Sequence, residues 1–121
     1  MGLWNKIVLS GSTDGEGIKV TGTAPSLGAV VHTAVTGAAD SIDEIWLYAH
    51  SNVTTLNNIG FAIGPTTATG TRYKHTVTAD DRSGLHLVMP GLVLRNAKVV
   101  KAFAATGTDF VVFGYVNRYT T

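Results

Sequence analysis

Four histidines, eight carboxylates and ten aromatic rings carry whatever chemistry this 121-residue chain can do. His32, His50, His75 and His86 each stand alone in sequence. A metal held on a β-strand calls for His-x-His with a carboxylate nearby, because alternate strand residues share a face. That spacing is absent, so the histidines read as surface or rim residues. Seven of the eight carboxylates fall in Asp14-Gly15-Glu16, Asp40/Asp43/Glu44 and Asp80-Asp81, in or beside turn-forming stretches. There Asp serves local turn chemistry through side-chain bonds to the backbone. No calcium loop of the D-x-[DN]-x-[DN]-G kind occurs. The chain has no cysteine, which removes thiolate chemistry and disulfides. There is also no Gly-rich phosphate cradle and no Ser/His/Asp grouping with a local signature. The reading is a non-enzymatic chain with no catalytic residue, no bound metal and no cofactor.

The aromatic residues are the better candidates. Trp46 and Tyr48 share one strand face, opposite Ile45 and Leu47. They form a candidate platform for a ligand or a protein, since stacking needs two or three exposed rings on one face. Leu3, Trp4 and Ile7 make the N-terminal segment apolar and are candidate interface residues, with Trp4 the natural anchor. Arg72 and Lys74 point from one strand face and join them as candidates. They either guard a sheet edge by charge or meet an acidic partner.

The elements that must position these groups are strands. Ile18 and Val20 alternate with Lys19 and Thr21, and Tyr73, His75 and Val77 alternate with Arg72, Lys74 and Thr76. Ile42 to Ala49 and Phe110 to Val116 are apolar on both faces, which places them centrally in a sheet. No window sustains a helical apolar period. Gly/Pro/Asn/Asp-rich turns separate about eight strands, the number in a double-sheet jelly roll. The fold expected is all-β, a single antiparallel β-sandwich of jelly-roll type over residues 18–121. Its core is expected to include Ile18, Val20, Ile45, Leu47, Leu85, Leu87, Phe103, Val111 and Phe113. Residues 1–17 form an apolar N-terminal segment and a Gly-rich hinge. That segment is either an arm that packs on a neighbour or a first strand at the edge of its own sheet.

Charged residues are 14% of the chain, well under the ~25% of ordinary soluble domains. Such a surface has little charge to desolvate on contact, so a homo-oligomer, dimer or trimer, is expected. The net charge is +1 with dispersed basic residues, which offers no attraction to nucleic acid or anionic membrane. No run approaches the ~20 apolar residues of a membrane span. Only Ile7 to Leu9 follow Lys6 as an apolar stretch, too short for a secretory signal.

Four segments carry a resemblance. They are Asp43-Glu44-Ile45-Trp46-Leu47-Tyr48-Ala49, Ser83-Gly84-Leu85-His86-Leu87-Val88-Met89-Pro90-Gly91-Leu92, Lys101-Ala102-Phe103-Ala104-Ala105-Thr106 and Phe113-Gly114-Tyr115-Val116-Asn117-Arg118. Together they resemble a family of small virion structural proteins of tailed bacteriophages, and among those the capsid decoration (cement) proteins. The resemblance extends over most of the chain from about Ile18. It implies a protein made in the host cytoplasm that sits on the capsid exterior and binds the major capsid protein lattice. A head–tail or tail component is the neighbouring possibility. From the residues alone, the alternative is a carbohydrate-binding or host-attachment module using Trp46 and Tyr48, or Trp4.

Overall fold

The computed structural model describes residues 2–37, 40–53, 57–64, 71–77, 84–105 and 110–121, with backbone alone at 57, 71–75 and 77. Nine strands follow one another: β1 (Leu3–Val8), β2 (Ile18–Lys19), β3 (Ala29–Thr33), β4 (Ile42–Ser51), β5 (Asn57–Gly64), β6 (Thr71–Val77), β7 (His86–Leu94), β8 (Val99–Ala104) and β9 (Phe110–Thr120). One turn of 3₁₀ helix, Pro25–Leu27, separates β2 from β3. The longest strand, β9, is also the densest in β-branched and aromatic residues.

The strands form two antiparallel sheets of a sandwich. Sheet A runs β1-β9-β4-β7, with β2 also paired to β9, and sheet B runs β3-β8-β5-β6. The pairings are nested. β5 pairs β6, β4 pairs β7, β3 pairs β8, and β1 and β2 both pair β9. This is the order obtained when one long hairpin is rolled into two layers. As expected, β4 and β9 are interior strands of their sheet.

β1 lies along residues 115–120 of β9, and β2 continues in the same direction along residues 111–112. The two are one edge strand interrupted by residues 9–17. The N-terminal segment therefore contributes a strand to its own sheet, and residues 3–8 are not an arm packed elsewhere. Inside the interruption Leu9 is buried, and the Gly11 N–H bonds the Val31 carbonyl of β3. The edge strand so reaches across to the other layer.

β4 shows why the layers meet as they do. Asp43, Ile45, Leu47, Ala49 and Ser51 are buried, while Ile42, Glu44, Trp46, Tyr48 and His50 alternate with them on the outer side. Their inner partners include Val112, Val116 and Phe110 of β9 and Ile59, Phe61 and Val100 from sheet B, all fully buried. Burying each large side chain of this kind contributes about 1.5–3 kcal/mol.

Ile18, Val20, Ile45, Leu47 and Phe103 are buried as expected. Four expected core residues are not. Leu85 and Leu87 are exposed, and Val111 and Phe113 sit half-covered on the outer side. Val88 and Met89 on β7 and Phe110 and Val112 on β9 fill the interior instead. A slip of one residue turns every side chain to the other face. On β7 the register shifts twice against β4, once at Gly91 and once at Val88, which breaks the alternation the sequence advertises.

Gly114 stands where β9 presses against β4. A Cβ there would lie 2.2 Å from the Trp46 carbonyl oxygen. Gly→Ala in a strand otherwise gains ~0.4–1 kcal/mol from the unfolded chain. Here the clash dominates, and Gly114→Ala is expected to lose about 1–3 kcal/mol, read as a lower urea midpoint at unchanged slope. A raised midpoint would contradict the close approach of the two central strands.

Candidate functional site

Two groupings emerge from the fold, one inside and one outside. The inner one is a buried ion cluster. Asp43, in phase with Ile45 and Leu47, points its carboxylate into the sandwich. Arg118 of β9 donates through Nε to Oδ1 at 2.7 Å and through a terminal nitrogen to Oδ2 at 2.8 Å. His32 of β3 lies 2.6 Å from Oδ2 through Nε2, and the Val35 N–H donates to the same oxygen at 3.0 Å. On the far side of the ring, Nδ1 accepts the Ser10 N–H at 3.0 Å. That acceptor role fixes the neutral tautomer with its proton on Nε2, facing Asp43.

Ser, His and Asp thus meet, yet the arrangement is not a nucleophile relay. His32 receives the backbone N–H of Ser10, while the Ser10 hydroxyl accepts from the Thr33 N–H at 2.7 Å. The imidazole and the carboxylate are fully buried, with no path for a substrate. A general base must reach the proton it abstracts, and both ring nitrogens here are taken, one by the Ser10 backbone N–H and one by Asp43. His32 was expected at the surface and Asp43 in turn chemistry. Both are core residues, held there because each donor and acceptor finds a partner. Among the described residues no group of three His, Asp or Glu side chains is placed to hold a metal ion.

Burial pushes the His32 pKa down, and the bond to Asp43 only partly offsets this. Burial also pushes the Asp43 carboxyl up, but hydrogen bonds from Arg118 and His32, with their charges, outweigh it and leave the pKa lowered. The same carboxylate raises the pKa of Arg118.

The outer grouping is the solvent side of sheet A. Register sets its side chains in rows. Trp4, Tyr119 and Ile42 form one, and Lys6, Asn117, Glu44 and Val93 the next. Val8, Tyr115, Trp46 and Pro90 form the third, with Phe113 beside Tyr48 beyond it. Trp4 packs on Tyr119 with ring centroids 5.2 Å apart and stays 56% exposed. The Trp46 and Tyr115 rings are nearly parallel, 9° apart, at 6.4 Å. Lys6 holds its ammonium 4.7 Å from the centre of the Tyr115 ring. The Trp46 indole N–H and the Asn117 amide both donate to Oε1 of Glu44, at 2.7 and 3.1 Å. These two bonds lower the Glu44 pKa, so the carboxylate is ionised and fixed in place. Between β1 and β4, over Asn117, runs a shallow groove of about 460 Å³ lined by Trp4, Asn5, Lys6, Glu44 and Asn117.

The expected platform of Trp46 and Tyr48 lies on this face, half-covered and extended by Tyr115 and Phe113. Of the N-terminal candidates, Leu3 and Trp4 are exposed, and Ile7 packs against the core. Arg72 and Lys74 stand on β6, the last strand in the order of sheet B, and their side chains lie outside the described ones. At the other border of sheet A, Leu85, Leu87 and Val93 are 55%, 44% and 50% exposed in a line with Pro90. No protein-family model matches the chain, and neither a curated protein nor a solved structure matches it.

The ion cluster generates two predictions. Asp43→Ala leaves His32 and Arg118 facing each other without their anion, and is expected to lose about 3–5 kcal/mol of stability in chemical denaturation. The pH dependence follows from linkage. His32 has a lowered pKa in the fold, so its contribution is complete above the unfolded value near 6.5. It is lost as pH falls from there towards the folded value. Asp43 is also lowered, so its contribution is complete above about pH 4 and is lost below that. Stability is therefore expected to fall in two stages on acidification. A midpoint that rises between about pH 7 and pH 5 would contradict this.

Proposed function

We propose that this chain is a non-enzymatic structural protein of a bacteriophage virion, a jelly-roll capsid decoration (cement) protein. It binds the major capsid protein lattice from outside after synthesis in the host cytoplasm, and acts as a homo-oligomer. The resemblance in the strand and turn segments supplies the family. The observation that carries the contact is the stripe of Leu87, Pro90 and Val93 on β7 with Leu85 just before it. It is an exposed apolar line on the border of a sheet, with no charge between its members. Monomers seldom leave such lines of large aliphatic side chains open without a partner.

The mechanism is linkage. A module that binds neighbouring lattice subunits and not the free subunit stabilises the shell by mass action. Each contact can be modest, because it is repeated across the head.

A saccharide is the competing occupant of the outer face, favoured by the near-parallel Trp46 and Tyr115 rings beside the fixed Glu44 carboxylate. Glycan-array binding that disappears in Trp46→Ala would replace the structural reading with host attachment.

Quantitative mass spectrometry of purified particles tests the main reading. Hundreds of copies per head are expected, and about a dozen or fewer would move the protein to the neck or tail. The double variant Leu87→Asp, Val93→Asp is expected to keep its stability within about 0.5 kcal/mol per site, as exposed substitutions do, and to be missing from particles. Particle occupancy equal to that of the unaltered chain would refute the β7 contact.

A further inference from the structure

We propose that the aromatic half of sheet A's outer face, over β1, β9 and β4, binds a second copy of this chain, face to face about a two-fold axis lying in the interface along β9. The proposal stands independently of the virion reading.

Charge complementarity and fit single out this packing. The middle row of this half holds one ammonium and one carboxylate, Lys6 on β1 and Glu44 on β4, with Asn117 of β9 between them. A two-fold axis in the interface along β9 keeps each row opposite itself and exchanges its ends. Lys6 of each copy then falls opposite Glu44 of the other, twice. An axis across the strands at this row would instead set Lys6 against Lys6 and Glu44 against Glu44. One isologous packing is therefore doubly attractive and the other doubly repulsive. The neighbouring rows agree. Exchange places the exposed Trp4 against Ile42 and Val8 against Trp46, apolar on apolar.

The site for the incoming lysine is already formed. Both bonds to Glu44 end on Oε1, and Oε2 has no donor among the described residues. It borders the groove over Asn117. The groove, about 460 Å³, lies between Lys6 of its own chain and Glu44. Sheets packed face to face stand ~10 Å apart, a distance that a lysine and a glutamate span end to end. The overlap covers β1, β9 and β4 and leaves β7 outside it on each copy. A dimer so built carries its two β7 stripes at opposite borders.

The test uses the full-length chain in sedimentation velocity and light scattering across a concentration series. The unaltered chain is expected to dimerise. Lys6→Glu and Glu44→Lys should each weaken the dimer by about tenfold or more through like-charge contacts, with circular dichroism unchanged because both sites are on the surface. An equimolar mixture of the two variants should recover association, because in the mixed dimer the side chain at position 6 of each copy again meets an opposite charge at position 44 of the other. The double variant should dimerise like the unaltered chain. A monomer or a trimer at about 100 μM, a concentration that would populate any dimer of micromolar affinity, would overturn the proposal. So would single variants that associate normally, or a mixture no better than its components.

Discussion

One buried carboxylate holds this sandwich together at the end where its apolar core runs out. Asp43 receives four donors from three places: two from Arg118 on β9, one from His32 on β3 and one from the Val35 backbone. β4 and β9 belong to sheet A and β3 to sheet B, so the cluster pins one layer to the other. Through His32 it also fixes Ser10, in the interruption of the edge strand. Placing an ion in a protein interior costs several kcal/mol, and only near-complete pairing offsets it. Every oxygen here is used, and the arginine approach is bidentate, the strongest arrangement available to it.

That internal use of charge shapes the outside. The chain has few charged residues, and two of them are committed to the cluster. What remains on the outer side of sheet A is a field of rings and aliphatic side chains, with Lys6 and the fixed Glu44 carboxylate in its middle row and Lys19 on β2 beside Val111. Sheet B differs. Its strand β8 is buried on both sides, with Phe103 covering Gly60, where a Cβ would come within 2.3 Å of the ring.

The fold class was legible because alternation is a direct record of which side is wet. Two-sided apolarity places β4 and β9 centrally, and alternation sets Trp46 and Tyr48 opposite Ile45 and Leu47, as the structure has them. β7 misled because Leu85 and Leu87 alternate cleanly but belong to the outer side, and the register shifts near Pro90 leave no mark on composition. The ion cluster leaves little mark on the sequence because each member looks ordinary where it stands. A signal did exist. Asp43 shares the parity of Ile45 and Leu47, and Arg118 that of Val116 and Val112, so both charges fall in step with core positions on central strands. His32, on a short strand with a bulge, offers no such phase.

The central claim is that the outer side of sheet A is a contact surface rather than a solvated wall. Hydroxyl-radical footprinting tests it most directly, comparing the dilute free chain with the chain bound in purified particles. The account predicts a several-fold fall in labelling at Trp46, Tyr115 and Leu87 on the particle, with Leu27 and Val30 on the opposite layer less affected. Equal labelling of the three in both states, or protection confined to Leu27 and Val30, would contradict it.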